Sequence, residues 1–181
     1  MFMWRRVLVR IDFIGAVVLT VFAPLVLFFR AMFKGTLDQW MVLIDYWRSS
    51  SLLMVTVYLL IGERRVAFIC GIAARLLIAW TMLRSPSTQD VLFERWRWLV
   101  SSYCVIGAVL NIPLFRCVMQ RHWSPLCRAY MEPPKEFGSL MHPTVPYTKL
   151  GRVGDIGLVS FLVGALLLGV RWLLRHRRGN P

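Results

Sequence analysis

Long runs free of charge alternate along this chain with short clusters of arginine, and that alternation predicts its architecture. A spanning helix needs about 20 mostly apolar residues, because the hydrocarbon core is roughly 30 Å thick and a helix rises about 1.5 Å per residue. Five stretches meet this demand: residues 13–33, 40–61, 66–83, 98–115 and 156–174. The third is broken only by Arg75, and the fifth carries only Arg171, near enough to its end to snorkel. The second is the weakest, since Asp45 and Arg48 fall inside it and 49–61 is too short to span alone. Its Trp40, Tyr46 and Trp47 nevertheless sit where interfacial aromatics belong. The pattern predicts an all-α fold, a polytopic transmembrane helix bundle of about five spans in one membrane domain over 1–181.

The connections sharpen this picture. Residues 62–65 are so few that the second and third spans must form a tight antiparallel hairpin. In the polar stretch 84–97, Asp90, Glu94, Arg95 and Trp96 suit a short surface helix. The extramembrane loop 116–155 holds Pro125, Pro133, Pro134, Pro143 and Pro146, with Trp123, Tyr130, Phe137 and Tyr147 between them. Disordered segments lack aromatics, and long ordered loops tend to be functional. The loop is therefore expected to be an ordered cap, its four aromatics facing a partner or else packed on the chain's own helix ends. Pro24 and Pro113 should bend the first and fourth spans.

Composition changes the picture in one respect. The net charge of +13 could suggest nucleic acid, but apolar residues make up 57% and charged residues only 17%. The basic residues flank the spans: Arg5, Arg6 and Arg10; Arg64 and Arg65; Arg175, Arg177 and Arg178. Attraction to anionic lipid headgroups accounts for them, so the expected partners are membrane lipids and other membrane proteins, with no nucleic acid. The first apolar run is longer than the 7–15 residues of a removable signal, and its one small-residue site at Ala23 is followed by Pro24. It is expected to stay as a helix.

The candidate chemistry is sparse. Asp45 and Arg48, three apart, can pair on one helix face. Arg75 lies about 15 Å beyond the tight turn, level with Ser50 and Ser51 on the neighbouring helix. Asp45, Arg48, Ser50, Ser51 and Arg75 thus form a candidate intramembrane polar cluster, either a structural device that sets helix register or a pocket for a lipid headgroup, pigment substituent or proton. Gly71, Ala74 and Arg75 partly echo a headgroup-phosphotransferase motif, but Cys70 replaces its first Asp and no metal-holding carboxylates follow. No nucleophile–base pair or metal set is present, so no catalysis and no metal are expected. His122, His142 and His176 lie outside the spans, which argues against haem; chlorophyll or carotenoid stays compatible. Cys70 and Cys104 read as small packing residues. Cys117 and Cys127 can form a disulfide if their loop faces an oxidising side, or stay free in the cytoplasm. Small residues four apart (Cys70 and Ala74, Cys104 and Ala108, Ser160 and Gly164, Ala165 and Gly169) let helices approach closely.

Ala23-Pro-Leu-Val-Leu, Tyr46-Trp-Arg48, 51–61, Arg95-Trp-Arg-Trp98 and Pro125-Leu-Cys-Arg128 resemble an uncharacterised family of small multi-pass membrane proteins from cyanobacteria. Arg48, Cys117 and Cys127 fall on its pattern. The resemblance implies the thylakoid or plasma membrane of a photosynthetic cell, and no reaction. The expected function is a non-enzymatic accessory subunit or assembly factor of a larger membrane complex, with a photosynthetic setting implied by the resemblance. The alternative is a small transporter or lipid-binding protein using the Asp45/Arg48/Arg75 region. Three Arg precede the first span against Arg30 and Lys34 after it, which favours an amino terminus in the cytoplasm and reduced cysteines in the loop.

Overall fold

The computed structural model describes residues 2–34 and 37–178. The side chains of Arg5, Arg175, His176, Arg177 and Arg178 lie outside the described set. Among the described residues eight α-helices follow one another: α1 (Phe2–Val17), α2 (Ala23–Lys34), α3 (Leu37–Ile61), α4 (Ala67–Arg84), α5 (Val91–Asn111), α6 (Arg116–Met119), α7 (Pro125–Met141) and α8 (Tyr147–Arg178). A π-turn, Val18–Phe22, joins α1 to α2, and a 3-10 turn, Ile112–Phe115, joins α5 to α6. Among the described residues four helical stretches are long and apolar enough to cross a membrane: Arg6–Lys34, Ala67–Arg84, Val91–Met119 and Tyr147–Arg171. The 25 residues of α3 match them in length, at about 37 Å by the helical rise. α3 tolerates three serines because each hydroxyl donates to a carbonyl of its own helix, and the neighbouring α2, α4, α7 and α8 leave Ser49 and Ser50 buried.

Ion pairs show which ends of the helices share a face. On one face Arg6 meets Glu132 at 3.2 Å, Arg10 meets Glu136, Lys135 meets Glu63, and Arg64 meets Asp155 at 2.7 Å. That face carries the start of α1, the 62–66 turn, α7 and the start of α8. On the other face Asp90 caps α5 by accepting from the Leu92 and Phe93 amides and pairs with Arg30 at 2.9 Å. Partial burial pushes the Asp90 carboxyl up, but those two amides, Arg30 and the Gln39 side chain outweigh it and hold its pKa below the ordinary range. Successive spans therefore run antiparallel, five in all.

The bend predicted at Pro24 takes a more specific form. The Ala23 amide donates to the Val18 carbonyl, one residue further back than in an α-helix. Pro24 has no amide to give. The carbonyls of Leu19 and Thr20 are thereby released, and side chains from two other helices satisfy them. Trp96 Nε1 donates to Leu19 O at 3.0 Å, and the Tyr46 hydroxyl donates to Thr20 O at 2.6 Å. The irregularity pins the first span to α3 and α5.

Four expectations are corrected. Asp90, Glu94, Arg95 and Trp96 form no separate surface helix; Asp90 caps α5, and the other three lie in its first two turns. The loop 116–155 is largely helical, and the last span begins at Tyr147 rather than at Ile156. The reason is close packing: a Cβ on Gly62 would stand 2.3 Å from Gly151 Cα, and one on Gly154 would stand 2.8 Å from the Leu59 amide nitrogen. Only glycine lets the start of α8 lie this near α3, and Arg64 takes up the charge of Asp155. The small residues expected to mediate α8 contacts do not do so, since Gly164 and Gly169 have nothing within 4 Å.

The fourth correction concerns the cysteines. Cys117 and Cys127 are joined by a disulfide rather than reduced. The bridge ties α6 to the first turn of α7, whose start is capped by Ser124. So anchored, α7 lies over one end of the bundle with Cys127, Ala129, Met131, Pro133, Pro134 and Gly138 turned inward.

Candidate functional site

The polar residues that matter are brought together by α1, α4 and α5. Arg75, near the middle of α4, is only 5% exposed, and its Nη2 donates to Asp12 Oδ2 at 2.6 Å. On α5, residues 103, 107 and 111 are four apart and share one helix face. The Tyr103 ring lies 5.2 Å from the guanidinium carbon, and its hydroxyl reaches the main-chain oxygen and Oδ1 of Asp12 at 2.6 and 2.8 Å. A Cβ on Gly107 would stand 1.6 Å from Arg75 Nη1, so the missing side chain is the space the guanidinium fills. Asn111 Nδ2 donates to the Tyr130 hydroxyl at 3.0 Å, joining α5 to α7. Burying a charge this far from water is costly unless it is paired, and Asp12 supplies the pairing.

This differs from the predicted cluster. Asp45 and Arg48 do pair, at 3.3 Å, but their side chains are 55% and 71% exposed and point away from the bundle. Ser50 and Ser51 lie at the level of Arg75, as the helical rise implied, and line the same cavity. Their hydroxyls, however, donate back to the carbonyls of Trp47 and Arg48 on their own helix. The acceptor for Arg75 is Asp12, which the charge pattern had placed just outside the first span. One signal pointed to it. Among nine acidic residues Asp12 is the only one before Asp38, and it falls inside a helical run where an acid needs a partner.

The four aromatics expected to face a partner mostly turn inward. Trp123 and Tyr130 pack on Phe68 with ring centroids 5.9 and 6.0 Å away, and Phe137 packs on Phe13 at 6.0 Å. Only Tyr147 is exposed. The region covers its own helix ends. Cys70 and Cys104 are buried packing residues on α4 and α5.

Through its first half α1 packs on α7 rather than closely on α3, and a cleft of about 560 Å³ opens between the three helices. Its walls are mainly apolar, with Val9, Phe13, Val17, Leu53, Met54 and Val57 among them. Asp12, Arg75 and Tyr130 bring the polar network to one wall. Ligand cavities typically enclose about 300–1,000 Å³ with a few convergent polar groups, and this cleft fits that description. Among the described residues no three His, Cys, Asp or Glu side chains stand together as a metal site.

The profile of a family described as a protein of unknown function (DUF3177) matches residues 6–178. The chain belongs to that family. The match takes in every residue of the Asp12–Arg75–Tyr103 network and the whole cleft, so the site is part of the family's common region. No curated protein and no solved structure gives a match.

Proposed function

We propose that this protein is a non-catalytic membrane protein that takes an amphiphile from the surrounding lipid into the cleft between α1, α3 and α7. One observation carries the reading: an apolar cavity of about 560 Å³ with a buried ion pair in its wall. Apolar walls accept a hydrocarbon chain, and polar groups at one place fix its orientation. Three spans and α7 supply the walls and the pair, so the site is part of the fold and not a surface groove. The test is to purify the protein in mild detergent beside the double variant Ala16→Phe/Val57→Phe, which fills the cleft from α1 and α3. Mass spectrometry of co-purifying lipids should show a species retained by the natural chain and lost from the variant. Identical lipid profiles from two equally folded proteins would refute the reading.

A second reading, an accessory subunit or assembly factor of a larger membrane complex, is favoured by α8. From Leu162 to Leu174 its described large apolar side chains are exposed, and its second half leaves the bundle. A partner helix would cover that surface, and co-purification of a defined membrane protein, lost when 162–174 is replaced by polyleucine, would support this role. A photosynthetic setting rests on the sequence resemblance alone.

A further inference from the structure

On the face opposite the disulfide, the ends of α2 and α5 bring an unbalanced charge cluster against an apolar track. Arg30, Lys34 and Arg95 line one open hollow with Asp90, Val91 and Leu92. Of the acids on this face, Asp38, Asp90 and Glu94, only Asp90 lines that hollow, so three cations share one carboxylate. The carboxylate is already engaged. Its Oδ1 accepts from the Leu92 and Phe93 amides, and its Oδ2 meets Arg30 at 2.9 Å and Lys34 at 3.7 Å. Arg95 is exposed, and among the described residues no carboxylate pairs with it. The adjacent Glu94 is turned to the Thr88 amide at 2.6 Å and to Arg97 at 2.7 Å. Two positive charges are left over, and Lys34 and Arg95 carry them.

A second hollow begins where the first ends. Val91 and Arg95 line both, and the second continues along α5 past Trp98, Leu99 and Ser102, with Glu94 at its rim. Residues 91, 95, 98 and 102 are four and three apart and share one helix face. Val91, Trp98 and Leu99 are exposed on it. The track therefore leads from the charged end of α5 into the depth of the bilayer. A solvated arginine cluster needs no such track, and a lipid-facing stripe needs no such cluster. Together they match the two parts of a phospholipid. The disulfide belongs on an oxidising side, which makes this the cytoplasmic face, where anionic lipids concentrate and attract basic groups.

We propose that an anionic phospholipid of the cytoplasmic leaflet docks here, its phosphate received by Lys34 and Arg95 beside Arg30 and one acyl chain laid along Val91, Trp98 and Leu99. A zwitterionic headgroup would bring its own cation to a place that already holds two in excess. The site lies on α2 and α5, away from the cleft between α1, α3 and α7, so it stands or falls independently of that reading.

The test uses the full chain in phosphatidylcholine nanodiscs containing increasing fractions of phosphatidylglycerol brominated on its acyl chains, with quenching of tryptophan fluorescence as readout. Quenching should saturate at low mole fraction, and the saturable part should vanish in Trp98→Phe. The double variant Lys34→Gln/Arg95→Gln, checked for an unchanged melting temperature, should raise the half-saturating fraction by roughly ten- to thirtyfold, the worth of two basic groups at a lipid surface. Arg128→Gln, which removes an exposed arginine from the opposite face, should leave it unchanged. Brominated phosphatidylcholine saturating as readily, or a double variant that behaves as the natural chain, would overturn the proposal. A saturable part that survives in Trp98→Phe would place the lipid elsewhere and overturn it too. Inorganic phosphate, compared with chloride at equal ionic strength, should fail to reverse the quenching; reversal would assign the hollow to a soluble phosphate instead of a lipid.

Discussion

The contact between α3 and α8 can be tested by one chemical change made at four places. Ordinary carbon–carbon contacts lie near 3.5–4.0 Å. Gly62→Ala would place a methyl 2.3 Å from Gly151 Cα, and Gly154→Ala one 2.8 Å from the Leu59 amide nitrogen. Both obstacles are backbone atoms, so the helices must separate by about 1 Å along a contact that α8 keeps as far as Phe161. Overpacking of this kind costs about 1–3 kcal/mol. Gly157→Ala meets only the Val55 Cγ2 methyl, at 2.9 Å, and rotation of that side chain relieves most of the clash. Gly164→Ala meets nothing within 4 Å and gains up to about 1 kcal/mol of helix propensity. The expected order of stability is Gly164→Ala, Gly157→Ala, Gly154→Ala, Gly62→Ala, from highest to lowest. The ends should differ by about 2–4 kcal/mol, which at about 2–4 °C per kcal/mol spans roughly 5–15 °C in Tm. The chain carries its own reporters, because Cys70 and Cys104 are free and buried. A maleimide dye that fluoresces on reaction will follow their exposure during heating in detergent. A flat series, or a Gly164→Ala protein as unstable as Gly154→Ala, would refute this helix contact.

Three further outcomes follow from the same geometry. Asp12→Asn leaves the Arg75 guanidinium buried without its counter-ion and should lower stability by about 3–5 kcal/mol, while Asp12→Asn with Arg75→Met should recover most of that loss; additive effects in the thiol-exposure assay would mean the two do not touch. Tyr46→Phe removes the donor to Thr20 O and should cost about 1–3 kcal/mol, and adding Pro24→Ala, which restores a backbone donor, should return part of it; no recovery by the double variant would count against the released carbonyl. The disulfide belongs on an oxidising side, which puts the amino terminus and α7 there and reverses the orientation favoured by the first arginines. A Ser87→Cys protein in sealed vesicles should then react with an impermeant maleimide only from the cytoplasmic face, and labelling from the opposite face would exclude this orientation.

The arginine count is a weak guide to orientation for a physical reason. By that count eleven basic residues lie on the amino-terminal face and nine on the other, a bias too small to decide. In the folded chain Arg6, Arg10, Arg64 and Lys135 on the first face each meet a carboxylate. Such pairing depends on which helix ends become neighbours, and no count along the chain contains it.

What the sequence determined by itself is the part governed by length and hydration. Runs of about 20 apolar residues can satisfy their backbone only as helices in a bilayer, so the all-α class, the five spans and the hairpin at 62–65 were legible from spacing alone. The depth of Arg75 relative to Ser50 followed from the helical rise. Tertiary structure decided everything that depends on which faces meet. Asp12 read as a boundary because an acid interrupts an apolar run, yet packing sets it against Arg75, where a charge pair is tolerated. Five prolines and several charges made 116–155 read as loop; burial of Pro133 and Pro134 and the anchor at Cys127 hold α7 together, and glycine contacts extend α8 to Tyr147. The cleft itself arises because α1 rests on α7 instead of closing on α3, a consequence of three helices meeting that no local pattern encodes.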